Sequence, residues 1–168
     1  MIRKIPRSSI PLLRRLLAFG LFWLAGFIAT APPASAHEDL ATLDLAAYRG
    51  QVVYLDFWAS WCGPCKQSFP FLDALAKKHG PAGLVVIAVN VDTDRRLAAR
   101  FLNENPVSFK IVYDPEGELA ERFKVSGMPM SFLIGRDGKT QFEHLGFRKS
   151  DPPKLESTLL KMLAEKAP

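Results

Sequence analysis

The feature that most constrains this chain is a pair of cysteines, Cys62 and Cys65, the only two in the sequence. An apolar run over 52–58 precedes the pair and predicts a buried strand, whereas the residues after Cys65 have a helical pattern. Cys62 should therefore lie at a helix start, where free N–H groups and the helix dipole stabilise a thiolate. A thiolate attacks disulfides, and a second thiol one helical turn later can displace the captured partner. The spacing predicts a redox-active dithiol.

Other uses of two cysteines fit this sequence less well. A structural disulfide across so short a loop would constrain little of the unfolded chain. A zinc site needs two further ligands, and His37, His79 and His144 are isolated from one another. Haem attachment requires a histidine directly after the second cysteine, where this chain has Lys66. We therefore expect neither a metal nor another bound cofactor.

Residues 1–36 have the composition of an export signal. Five basic residues and no acid precede an apolar stretch, Leu16–Ala29, which is followed by the small residues 34–36. We expect cleavage after Ala36 and a periplasmic protein. The alternative is an uncleaved signal that tethers the chain to the inner membrane, but this stretch is shorter than the ~20 residues that a spanning helix needs.

Without that segment, the charge of the chain is balanced. The whole sequence has 22 basic and 17 acidic residues, and removing the five basic residues of 1–36 leaves 17 of each. This balance gives no reason to expect nucleic acid as a partner. Residues 37–168 are enough for one compact domain, which we expect to be a monomer.

After a polar lead-in over 37–50, apolar runs alternate with helical patterns, which indicates an α/β fold. The predicted strands are 52–58, 84–91, 110–113, 131–134 and 140–145. The predicted helices are approximately 63–78, 93–103, 117–123 and 153–164. Asp92 and Thr93 are expected to cap the second helix. Strands separated by helices pair in parallel, whereas the turn residues Asp137-Gly138 predict a C-terminal antiparallel hairpin, so the sheet should be mixed.

Four segments occur in an informative order: 56–66 (Asp-Phe-Trp-Ala-Ser-Trp-Cys-Gly-Pro-Cys-Lys), Pro70, 89–92 (Val-Asn-Val-Asp) and 127–129 (Gly-Met-Pro). In these the chain resembles the thioredoxin superfamily, and within it the exported TlpA- and ResA-like disulfide reductases. The resemblance implies a thioredoxin-like fold, with helices flanking the central mixed sheet. The strand and helices between Asp92 and Ser126 look like the central insertion of that group.

The resemblance also implies which residues bind a substrate. Pro129 corresponds to the cis-proline that faces the cysteine pair in this superfamily and leaves the preceding backbone free to pair with an extended segment. Met128 would form part of an apolar platform beside Cys62. Trp61 is the better candidate for a surface that shields the sulfurs, while Trp58 is expected in the core.

Asp56 is a candidate proton acceptor. A carboxylate in an otherwise apolar strand is costly unless it is protonated or paired. In thioredoxins an acid at this place accepts the proton of the second cysteine, so the resemblance implies this role for Asp56 toward Cys65. The chain departs from its relatives at three positions: Ser68 stands where the exported reductases often have glutamate, Asp56 stands where they often have asparagine, and Ala88 stands where thioredoxins have lysine.

These observations predict a periplasmic thiol-disulfide oxidoreductase that reduces disulfides in client proteins, with Cys62 attacking and Cys65 resolving. Its partners would be client disulfides and a membrane thiol relay that supplies electrons. Apocytochromes, copper-site proteins and general envelope proteins all fit as clients, so a role in cytochrome c biogenesis is one option. The alternative is a copper-binding assembly factor that uses the two cysteines as soft ligands, with a histidine such as His144.

Overall fold

The computed structural model describes residues 37–39 and 43–166, so the predicted export signal over 1–36 lies outside the described residues. This part of the chain has six strands: β1 His37–Asp39, β2 Val52–Trp58, β3 Leu84–Asn90, β4 Lys110–Tyr113, β5 Met130–Ile134 and β6 Thr140–Leu145. It also has four α-helices: α1 Gly63–His79, α2 Arg95–Glu104, α3 Glu118–Arg122 and α4 Pro152–Ala164. None of the helices described here is long and apolar enough to cross a membrane.

The strands form one mixed sheet in the order β1-β4-β3-β2-β5-β6. The pairs β1–β4, β4–β3 and β3–β2 are parallel, whereas β5 is antiparallel to both β2 and β6. This confirms the α/β fold with parallel strands and a C-terminal antiparallel hairpin. Helix α2 and strand β4 lie in the predicted insertion, and β4 adds to the parallel side of the sheet.

β1 departs from the polar lead-in expected over 37–50. Its three residues pair in parallel with β4, from His37 opposite Ile111 to Asp39 opposite Tyr113. So short an edge strand needs no apolar face of its own, because its backbone pairs with a strand that the core already holds. Hydrophobic periodicity therefore gave no signal for it.

β2 is buried along its whole length because both faces of the sheet are covered. Val52, Tyr54 and Trp58 join the core that contains residues of α1, α2 and α4. The alternate residues Val53, Leu55 and Phe57 join a second core on the opposite face, which includes Leu119 of α3. Trp58 is fully buried, as expected. This strand leads directly into the turn that carries Cys62.

The cap of α2 differs from the expectation that Asp92 and Thr93 would provide it. The helix begins at Arg95, and the carboxylate of Asp94 accepts a hydrogen bond from the N–H of Arg96 at 2.9 Å. Asp92 is buried and its carboxylate is occupied elsewhere. The capping residue is therefore the last acid before the helix, because the first is committed to the turn beside the cysteines.

Candidate active site

The two cysteines lie at the start of α1, as the spacing predicts. Cys62 is the N-cap residue of this helix, and the N–H of Cys65 donates to Cys62 Sγ at 3.2 Å. Pro64 occupies the first turn, where its missing N–H leaves no intrahelical bond unmade. The sulfurs form a disulfide, with the two Cα atoms 5.3 Å apart. In the reduced form, the free N–H groups at the start of α1 would stabilise a Cys62 thiolate.

The two sulfurs differ in their access to solvent. Cys62 is 4% exposed, whereas Cys65 is 0% exposed. Cys62 opens onto a groove of about 310 Å³ between the cysteine turn and α2. The groove is lined by Ser60, Trp61, Cys62, Gly63, Lys66, Leu97, Arg100, Phe101 and Glu104. A partner can therefore reach Cys62 from this groove, whereas Cys65 is covered.

The residues that the resemblance assigns to substrate binding surround this turn. Trp61 is 70% exposed beside Cys62. The Met128–Pro129 peptide bond is cis and directly precedes β5, and Met128 packs on the core that contains both cysteines. Within the described residues, the backbone N–H and C=O of Met128 make no hydrogen bond, while the C=O of Pro129 accepts one from Gly146. Met128 therefore presents an unpaired stretch of backbone.

Asp56 is buried in the middle of the sheet. It lies opposite Ala88 of β3 and Ser131 of β5, and strand alternation places it on the face covered by α1, the helix of Cys65. The carboxyl group is 1% exposed. Burial raises its pKa to about 7, while a hydrogen bond from Ser131 acts in the opposite direction. A carboxyl with this pKa can take and release a proton near neutrality.

The surroundings of Asp56 include two residues that sequence reasoning missed. The hydroxyl of Ser131 donates to Asp56 Oδ1 at 2.6 Å, and the hydroxyl of Tyr54 donates to Ser131 Oγ at 3.3 Å. Asp56 Oδ2 is buried and has no hydrogen-bond partner among the described residues. A polar residue such as Ser131 inside the apolar strand β5 was the available signal.

Asp92, which was expected to cap α2, instead fixes the turn that leads to Cys62. Its carboxylate accepts hydrogen bonds from the N–H and the hydroxyl of Ser60, at 2.9 and 3.0 Å, and from the side-chain amide of Asn90 at 2.8 Å. Asn90 returns the contact, because its Oδ1 accepts the N–H of Asp92 at 3.1 Å. The loop after β3 therefore holds the loop after β2.

Asp92→Asn is expected to lower the free energy of unfolding by about 1–2 kcal/mol, because a neutral amide oxygen accepts the N–H groups of Ser60 and Asn90 more weakly than a carboxylate oxygen does. Urea denaturation of the oxidised protein measures the change. Asp94→Asn is the matched control: asparagine also caps helices well, so the expected loss is under about 0.5 kcal/mol. Equal losses in the two variants would contradict the role assigned to Asp92.

The described part of the chain brings no third metal ligand to the cysteine pair. Among residues 37–39 and 43–166, no group of three His, Cys, Asp or Glu side chains could hold a metal ion. The Nε2 atom of His144, the histidine considered for copper, lies 3.2 Å from Asp151 Oδ2. The copper alternative therefore gains no support from the geometry.

Comparison with known proteins identifies the family. Residues 29–159 match the Redoxin family. The chain is 32% identical over 149 residues to thiol-disulfide oxidoreductase ResA of Geobacillus thermodenitrificans, and this alignment covers 83% of this chain and 86% of that protein. It is 30% identical over 107 residues to the ResA of Oceanobacillus iheyensis, which covers 64% of this chain and 56% of that protein. For this and three further ResA proteins, the match spans 54 to 56% of the relative's length.

A solved structure from Chlorobium tepidum, provisionally named thiol:disulfide interchange protein DsbE, has 45% sequence identity and a TM-score of 0.71. The match covers 73% of this chain and 86% of that one. StoA from Bacillus subtilis has 28% identity and a TM-score of 0.57, with 65% and 82% covered. The family match, the sequence identity and the similarity to a solved structure thus agree, and the chain belongs to the Redoxin family of the thioredoxin superfamily.

Proposed function

We propose that this protein is a thiol-disulfide oxidoreductase that reduces disulfides in exported client proteins. The observation that carries the proposal is the pair of sulfurs at the start of α1, with Cys62 open to a groove and Cys65 buried behind it. The names of the ResA and DsbE relatives, which describe thiol-disulfide chemistry, support the same activity.

The reaction begins with the reduced dithiol. The Cys62 thiolate attacks one sulfur of a client disulfide, so a mixed disulfide forms and the other client sulfur leaves as a thiolate. Cys65 then loses its proton to Asp56 and attacks Cys62 Sγ. This step forms the Cys62–Cys65 disulfide and releases the second client thiolate. The client gains two electrons and the enzyme ends in the oxidised form.

The client would dock on the surfaces beside the turn. An extended segment can pair with the free backbone groups of Met128, in the manner of strand addition, while Pro129 fixes the direction of that backbone. The exposed ring of Trp61, which lines the groove together with Cys62, supplies apolar contact for the client. This arrangement assigns Trp61, Met128 and Pro129 to client binding and requires no bound cofactor.

The composition of residues 1–36 supports a periplasmic location, either free after cleavage or tethered by an uncleaved signal. In that oxidising compartment the enzyme must be reduced again after each cycle, which makes a membrane thiol relay the expected electron donor. Residues Gly63-Pro64 between the cysteines resemble reducing members of the superfamily. A strongly oxidising potential, measured in glutathione buffers, would contradict reduction as the direction.

Insulin reduction tests the activity directly. The protein is expected to accelerate reduction of insulin by dithiothreitol, and Cys62→Ser is expected to return the rate to that of dithiothreitol alone, because the oxygen cannot form a mixed disulfide. Protein alkylated at its cysteines after reduction provides a second inactive reference. Unchanged activity in Cys62→Ser would overturn the proposed function.

A further inference from the structure

We propose that Ser131 is a positioning residue for proton transfer at this site, supported by Tyr54. The Ser131 hydroxyl occupies one oxygen of Asp56 and leaves the other to accept the proton of Cys65. This inference rests on the proposed function, since it concerns the resolving step of the same dithiol.

Strand register brings the three side chains together. Tyr54 and Asp56 are alternate residues of β2 and therefore share a face, and Ser131 of β5 lies opposite Asp56. All three residues are buried, so bulk water does not compete for their hydrogen bonds. The distances are 3.3 Å from the Tyr54 hydroxyl to Ser131 Oγ, and 2.6 Å from Ser131 Oγ to Asp56 Oδ1.

The order of donors fixes the direction of the serine proton. A serine hydroxyl has one proton to donate and can accept as well. Because Tyr54 donates to Ser131 Oγ, the single proton of Ser131 is available for Asp56 Oδ1. Burial raises the pKa of Tyr54, so its hydroxyl stays protonated and remains a donor at neutral and mildly alkaline pH. Oδ1 is thus the acceptor of this bond, and the buried Oδ2 is the oxygen without a partner in the described structure.

The hydrogen bond from Ser131 matters because it is the interaction that favours the charged form of Asp56. Burial raises its pKa, and the bond from Ser131 is the opposing influence. Ala88 faces Asp56 where thioredoxins have lysine, so β3 provides no cation there. Without the serine hydroxyl, a larger fraction of Asp56 would hold its own proton at neutral pH, so a smaller fraction could accept one from Cys65.

The effects of the other titratable groups near Tyr54, Ser131 and Asp56 must be distinguished from the effect of Asp56. Besides Tyr54 on the same strand and Cys65 on the helix that covers this face, His144 of β6 lies opposite Ser131 and contacts Asp151 at the start of α4. His144 is the ionisable side chain of β6 that lies beside Ser131, so its influence is tested separately. A His144→Gln variant separates the two.

The test uses 5,5′-dithiobis(2-nitrobenzoate) and the fully reduced protein. Attack by Cys62 releases the first thionitrobenzoate, and attack by Cys65 on the resulting mixed disulfide releases the second, so visible absorbance follows each step over pH 5.5–9 (a range chosen to span the ordinary titration of such groups). In Ser131→Ala, the acidic limb of the pH–rate profile for the second release is expected to move up by about one pH unit. This shift slows the second release about fivefold at pH 7. The first release should be unchanged.

Three variants make the assignment specific. Ser131→Thr keeps the hydroxyl and should retain the wild-type profile of the second release. Tyr54→Phe removes the donor to Ser131 and should shift the same limb upward by less than Ser131→Ala does. In an Asp56→Asn background, Ser131→Ala should cause no further shift, because the titrating group is absent. His144→Gln should leave the limb in place.

The outcomes separate this inference from the proposed function. Failure of wild-type Cys62 to release the first thionitrobenzoate would overturn the proposed function itself. A normal first release, with a folded Ser131→Ala variant whose second release keeps the wild-type pH profile, would overturn the role of Ser131 alone. A shift that follows His144→Gln in place of Ser131→Ala would do the same.

Discussion

Replacing Cys65 by serine is expected to lower the turnover of a disulfide substrate by about a thousandfold or more, while Cys62 still attacks once. The Cys65 sulfur is the atom that breaks the mixed disulfide, and a serine hydroxyl cannot replace it in this exchange. The variant should therefore remain covalently attached to its substrate. Non-reducing electrophoresis and mass spectrometry would detect the complex, and an insulin assay would measure the lost turnover.

The burial of Cys65 makes the matched control informative. Cys62→Ser should capture no substrate, because the remaining sulfur is 0% exposed and a client cannot reach it. A double variant that lacks both sulfurs gives the background of the capture experiment. Capture by Cys62→Ser and not by Cys65→Ser would mean that the order of the two sulfurs is reversed, and equal capture by both would mean that either sulfur can attack. In extracts of exported proteins, those trapped by Cys65→Ser would identify the clients.

Replacing Asp56 by asparagine is expected to stabilise the fold at neutral and alkaline pH. Burial raises the pKa of native Asp56 from 3.8 to about 7, so the folded protein holds a proton that the unfolded chain has already released in this interval. The stability that this proton provides is complete below pH 3.8 and is lost as the pH rises through 7. The free energy of unfolding of Asp56→Asn, relative to that of wild type, should therefore rise by about 3 kcal/mol as the pH increases from 5 to 8.

Urea denaturation of the oxidised proteins at these two pH values measures this difference, and the disulfide prevents the cysteines from titrating. The asparagine keeps an oxygen that can accept the Ser131 hydroxyl, so the packing of the site is retained. Glu116→Gln is the control, because Glu116 is exposed and makes no hydrogen bond or ion pair within the described residues. A stability difference between Asp56→Asn and wild type that does not vary with pH would contradict a raised pKa at Asp56.

The sequence was sufficient to predict the dithiol, because the apolar run before Cys62 and the helical pattern after Cys65 are both local signals. Asp56 was also accessible from sequence, since a charged residue within a buried strand is conspicuous. Pro129 and Met128 lie more than 60 positions further along the chain. Only the family resemblance related them to the cysteines, and the structure has the expected cis bond before Pro129.

The supporting residues could not be derived in the same way. Ser131 and Asp56 are 75 positions apart, and only the antiparallel register of β2 and β5 brings them into contact. Asp92 was expected to cap α2 because it follows a strand and precedes a helix, which is a local criterion. Its actual contact with Ser60 crosses 32 positions, between two parallel strands. Hydrogen bonds between distant segments depend on topology, which local patterns do not specify.

Cys62 is the residue that directly precedes α1. This position makes it possible to separate the loss of reactivity from the loss of helix structure. Its sulfur accepts the N–H of Cys65, and serine at such a position is among the best acceptors for the same group. Exchanging one sulfur atom for oxygen therefore removes the nucleophile and leaves the beginning of the helix satisfied. Alanine would remove both at once, so the two substitutions together distinguish a protein that cannot react from one whose helix is frayed.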